Sequence, residues 1–122
     1  MNIIDKILDL TTKISAETTK LNKAQGIVCK ITLAKLEAEN LVETKTATLF
    51  AEGKVEGSNE ATRKANLTNL LATDIDAVKV SETSLIKAKS NLQVSENTLR
   101  AYRDSLYSLH TVLKVQAGIS EG

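Results

Sequence analysis

A seven-residue apolar repeat in the second half of the chain constrains its fold more than any other feature. Leu71, Val78, Leu85, Leu92, Leu99, Leu106 and Leu113 follow one another at intervals of seven without a gap. On an α-helix such a row stays on one side, and a companion row three or four residues away completes a seam for another helix. The companion positions are Leu67, Asp74, Ser81, Ala88, Ser95, Tyr102 and Leu109. Ser81, Ala88 and Ser95 are small, so a neighbouring backbone can come close there, with space widening toward Tyr102. A sustained seven-residue period also implies left-handed supercoiling.

The first half carries the same period less cleanly. Ile7, Ile14, Leu21 and Val28 recur every seventh residue, Lys35 interrupts, and Val42 and Leu49 resume. The companions are Ile3, Leu10, Glu17, Ala24, Ile31, Ala38 and Lys45, two of them charged. Gly26 weakens a helix locally by about 1 kcal/mol relative to Ala, which makes it the place where helix one would kink or break into two.

Between the halves, Gly53 and Gly57 flank the one stretch suited to a turn. Gly53 suits the left-handed residue that ends many helices. Ser58 or Asn59 can cap the next helix, and Glu60 in its first turn opposes the helix dipole favourably. Glu60 with Lys64, and Glu96 with Arg100, have the spacing of helical ion pairs. The expected fold is all-α: a long antiparallel helical hairpin, coiled-coil-like, in a single domain over 1–122. Helix one spans about 2–52, the turn 53–58, helix two about 58–117, and a frayed tail 118–122. Rods of that length measure about 75–90 Å.

Composition agrees with narrow helical seams. Aromatic residues are 2% of the chain (Phe50, Tyr102, Tyr107) and proline is absent. A thick core normally uses aromatic bulk, and proline is the strongest helix breaker. Two paired helices bury one seam and leave other apolar residues wet. Ile4, Leu8, Ile27, Ala34 and Leu41 lie off the seam of helix one; Ile75, Val80 and Ile86 lie off that of helix two. These surplus residues predict a helical-bundle homo-oligomer, simplest as two hairpins.

Reactive chemistry is sparse. Sixteen basic against fifteen acidic residues give a net charge of +1, with the signs interspersed. That balance argues against steering toward nucleic acid or an anionic membrane. No apolar run reaches the roughly 20 residues that span a bilayer, and the charged N-terminal stretch does not read as a secretory leader. A cytoplasmic location is expected. His110 and Cys29 are single residues of their types, and no metal-ligand spacing occurs. His110 reads as a surface or bundle-edge histidine, and Cys29, beside Val28, as a small buried hydrophobe. No cofactor is expected, and the chain is read as not an enzyme.

Two groups of residues are candidate ligand contacts. Asn59, Arg63 and Lys64 stand at the start of helix two, where free N–H groups and basic side chains can hold an anion; the plainer reading is a capped, solvated turn. Arg100, Tyr102 and Arg103, with Tyr107 and His110 nearby, form the densest set able to stack and donate hydrogen bonds. Tyr102 also lies on the repeat and so suits the seam.

The stretch Gly53-Lys-Val-Glu-Gly57-Ser-Asn59-Glu60-Ala-Thr-Arg63-Lys64-Ala65 resembles a turn in small helical proteins of phages and prophages. There a glycine-containing turn is followed by Asn-Glu-x-x-Arg-Lys-Ala opening a second long helix. With the leucine-rich helix that follows, the resemblance touches about half of the chain. It implies a phage accessory protein expressed inside a bacterium, and brings no catalytic activity. Many such proteins neutralise host defences. Some are small helical hairpins whose oligomers sequester nucleotide immune signals between subunits. The expected function is therefore non-enzymatic binding, as anti-defence sequestration of a host protein or a small anionic nucleotide by a homo-oligomer. One alternative is a structural scaffold touching only proteins; another, less suited to the charge balance, is a DNA-associated replication accessory.

Overall fold

The computed structural model describes residues 2–118, and among these it contains three helices and no strand. They are α1 (Ile3–Ala51), α2 (Glu60–Leu70) and α3 (Ala72–Gln116). α1 packs on α3 as a hairpin, and the packing falls into two units. One comprises Met1–Ile27 with Lys89–Gly122, the other Val28–Ala88.

Helix boundaries follow local capping chemistry. Asn2 precedes α1 and its side-chain oxygen accepts from the Asp5 N–H at 2.8 Å. α1 ends in two bonds typical of a left-handed glycine stop: the Gly53 N–H donates to the Phe50 carbonyl at 3.1 Å, and the Lys54 N–H to that of Leu49 at 3.0 Å. Gly53 has φ 67°, a conformation costly for any residue with a Cβ.

α1 runs through Gly26 as one helix, so the kink or break expected there does not occur. A Cβ at Gly26 would meet nothing within 4 Å, so no neighbour forces the backbone aside. Long helical flanks on both sides outweigh the propensity loss of one residue.

The interruption lies in the second half instead. Helix two, expected as one run over about 58–117, is divided at Leu71, with φ −105° and ψ 16°. The preceding turn holds Asn66, Thr68 and Asn69, whose side chains compete for backbone bonds. The Thr68 hydroxyl donates to the Lys64 carbonyl at 2.9 Å, and the Asn66 amide reaches across the turn to the Glu56 carbonyl. Bonds from Leu71 N–H to Leu67 and from Ile75 N–H to Leu71 still cross the irregularity. Gly118, with φ 71°, follows the end of α3; residues 119–122 of the expected tail lie outside the described residues.

The seam follows the seven-residue spacing. In the first unit Ile7, Ile14 and Leu21 of α1 are half-buried, as are Leu92, Leu106 and Leu113 of α3, while Leu99 is 3% exposed. In the second, Val28 and Val78 are half-buried and Leu71 and Leu85 are buried. Small residues sit where close approach was expected: Ala88 and Ser95 are buried and Ser81 is half-buried. Near the end of α1 the pattern slips by one residue, leaving Lys45 exposed and Thr46 half-buried. Cys29, expected to be buried, is exposed. One residue beyond Val28 is a rotation of about 100°, enough to carry it off the seam.

Apolar burial is thin. Leu71, Leu85, Ala88 and Leu99 are the buried hydrophobic residues among those described, so each matters. Truncation of a buried leucine costs about 2–5 kcal/mol. Leu99→Ala should therefore lower the thermal unfolding midpoint clearly, read by circular dichroism. Ile86→Ala, at a side chain 72% exposed, should change it little. Equal effects would mean that the buried row is misplaced.

Candidate functional site

Of the charged residues that interrupt the apolar rows, Glu17, Lys45 and Asp74 bond across the seam, whereas Lys35 pairs with Glu39 along α1. In the first unit, the Ser95 hydroxyl of α3 donates to Glu17 Oε1 of α1 at 2.8 Å. Ser95 is 7% exposed, and the Glu17 side chain is 12% exposed, with its second oxygen 3.9 Å from Lys20 Nζ. In the second unit, Lys45 Nζ of α1 meets both carboxylate oxygens of Asp74 of α3, at 2.9 and 3.1 Å. Each bond holds one α1 position opposite one α3 position. An apolar seam can slide by a turn at modest cost, whereas sliding here would strand a half-buried carboxylate. Sequence reasoning placed Glu17, Lys45 and Asp74 on the seam but did not pair them. The signal was available as polar residues at seam positions on both helices.

The two candidate groups lie in different units. At the turn, Asn59 caps α2, its side-chain oxygen accepting from the Thr62 N–H at 2.8 Å. Its carbonyl accepts from the Arg63 N–H at 3.0 Å. Arg63 is half-buried and turned back on the loop, donating to the Gly57 carbonyl at 3.4 Å. Gly57 has φ 151°, and a Cβ there would stand 2.7 Å from the Arg63 backbone nitrogen. The resemblance-bearing residues thus build the turn itself: glycine permits the close approach, and asparagine and arginine tie the loop to α2. Lys64 is exposed.

The second group divides. Arg100 and Arg103 are exposed and line an open cleft of about 310 Å³ with Leu21, Glu96, Leu99 and Asp104. Tyr102 is half-buried and lines another cleft, of about 490 Å³, beside Glu17, Lys20 and Ser95. The three residues therefore do not converge on one ligand. Both arginines share their cleft with carboxylates, which reduces the positive field there. Tyr107 and His110 are exposed.

Ion pairs within one helix differ from Glu60–Lys64 and Glu96–Arg100. The structure forms Asp9–Lys13 at 3.1 Å and Lys35–Glu39 at 3.6 Å. The Asp9 carboxylate, by hydrogen bonding and by charge, holds the Lys13 ammonium above its ordinary pKa. Glu52, 2.8 Å away, does the same for Lys54. Among the described residues no group of His, Cys, Asp and Glu could hold a metal ion. No described helix is long and apolar enough to cross a membrane. Comparisons with protein families, curated proteins and solved structures found no match in any of the three.

If the Glu17–Ser95 bond holds the register, Ser95→Ala should cost about 1–2 kcal/mol, because the carboxylate loses its donor in a half-buried place. Glu17→Gln should cost less, since its amide oxygen still accepts. Urea unfolding midpoints measure both; an unchanged midpoint for Ser95→Ala would remove the bond's structural role.

Proposed function

We propose that this chain acts by binding through the outer surfaces of its hairpin, as a self-associating phage accessory protein in the cytoplasm of a bacterial host, and not by catalysis. One observation carries the reading: the chain buries few apolar residues and leaves many outside. Fourteen large apolar side chains among the described residues are exposed, including Leu8 at 61%, Leu33 at 61% and Phe50 at 51%. The accessible surface is 8831 Å² for a mass of 13.2 kDa. A folded monomer of that mass typically exposes about 6,400 Å². The surplus of about 2,400 Å² of total surface is available for a partner to cover, and exposed apolar side chains within it are where interaction sites form.

The phage reading rests on the resemblance of the turn, whose residues Gly57, Asn59 and Arg63 shape the loop itself. An anionic nucleotide, if it is the captured signal, would be held between copies. Within one copy Arg100 and Arg103 stand beside Glu96 and Asp104. That same neutralisation favours a second reading, a scaffold whose partners are all proteins.

A thermal-shift screen against linear and cyclic nucleotides, with light scattering for molecular mass, separates the two. Sequestration predicts a folded oligomer whose midpoint rises with the concentration of one nucleotide, by mass action. A flat screen with an intact oligomer selects the scaffold. A monomer that ignores every nucleotide contradicts both.

A further inference from the structure

α3 is divided lengthwise outside its seam. On one side, between Lys89 and Lys114, lie Lys89, Glu96, Arg100, Arg103, Asp104 and Lys114, six charged residues, of which Glu96, Arg100, Arg103 and Asp104 share one cleft. On the other, positions 91, 94, 98, 101, 105, 108, 112 and 115 alternate steps of three and four, as residues sharing one helix face do. All eight are uncharged, in a chain where charged residues are 25%. Seven of the eight are exposed, with Val94 at 62%, Val112 at 46% and Val115 at 73%. Thr98 is half-buried. Its hydroxyl donates to the Val94 carbonyl at 2.9 Å, so it offers a methyl group without an unmet donor.

We propose that this face, Asn91 to Val115 of α3, pairs two copies of the chain antiparallel about a two-fold axis between Ala101 and Ser105. The inference rests on the self-association reading above and names its surface. The order of side chains points to a second copy as the occupant. Laid against itself in reverse, the face sets Ala101 opposite Ser105, Thr98 opposite Ser108 and Val94 opposite Val112. Small residues meet at the centre, where backbones must approach, Val94 meets Val112 farther out, and Asn91 meets Val115 at the ends. A two-fold interface requires this reciprocity, in which each residue contacts the position that contacts it. An uncharged face is also one that a protein can copy onto itself without like-charge repulsion. The segment is about 36 Å long. Lys13 and Lys20 of α1 are exposed, and Lys20 borders the cleft that Val94 and Thr98 help to line, a polar rim beside an uncharged centre.

The test uses the full chain and light scattering after size separation. Ala101→Glu with Ser105→Glu places four carboxylates at the axis, and Ala101→Lys with Ser105→Lys places four ammonium groups there. All are exposed positions, so each variant should keep its helical signal. The expected result is association at least tenfold weaker for each variant alone, restored on mixing the two. Gln93→Glu, on the charged side of α3, should leave the mass unchanged. A wild-type oligomer unmoved by the paired glutamates overturns this face and leaves self-association standing. Weakened variants that fail to restore each other overturn the antiparallel pairing. A wild-type chain that stays monomeric at every concentration overturns the self-association reading itself.

Discussion

The structure depends on a seam one side chain wide. Two helices that meet along a single row of leucine, isoleucine and valine gain burial only at that row. Among the described residues the buried apolar part reduces to Leu71, Leu85, Ala88 and Leu99. With so little apolar burial, stability rests on continuous helices and on every seam position being correctly opposed. The sequence answers the first need with capped helix ends and no proline. Polar residues placed in the seam answer the second.

Those polar residues give the hairpin a definite alignment. A row of similar apolar side chains matches itself after a shift of one repeat, so burial alone ranks neighbouring registers poorly. Glu17 opposite Ser95 ranks them, because its half-buried carboxylate meets that donor in one alignment. The Lys45–Asp74 pair is partly exposed, with side chains 47% and 16% accessible, and adds little stability by itself.

Much of this was legible in the sequence, and the exceptions have physical causes. The helical class and the seam positions could be read because a period of seven is a property of one strand of sequence at a time. The stop at Gly53 and the cap at Asn59 could be read for the same reason, since both are local. The Glu17–Ser95 and Lys45–Asp74 bonds were not read, because pairing needs the alignment of two segments far apart in the chain. Gly26 was over-weighted: an exposed glycine with empty space around it leaves a long helix intact. The division at Leu71 went unseen because neither glycine nor proline marks it, only the polar residues Asn66, Thr68 and Asn69, which weaken a helix slightly. Cys29 was misplaced by one position of helical rotation. Of the candidate ligand contacts, Asn59 and Arg63 shape the turn, and Tyr102 lines a different cleft from Arg100 and Arg103.

The central claim is that α1 and α3 hold each other through this seam, and native-state hydrogen exchange tests it most directly. Backbone amides of α3 around Leu85, Ala88, Ser95 and Leu99 should be the slowest to exchange, with amides of α1 near Glu17 and Leu21 protected to a similar degree. Protection should fall toward Gly118. If the α1 amides exchange at the rate of an isolated helix while those of α3 stay protected, the two are not packed together and the account fails.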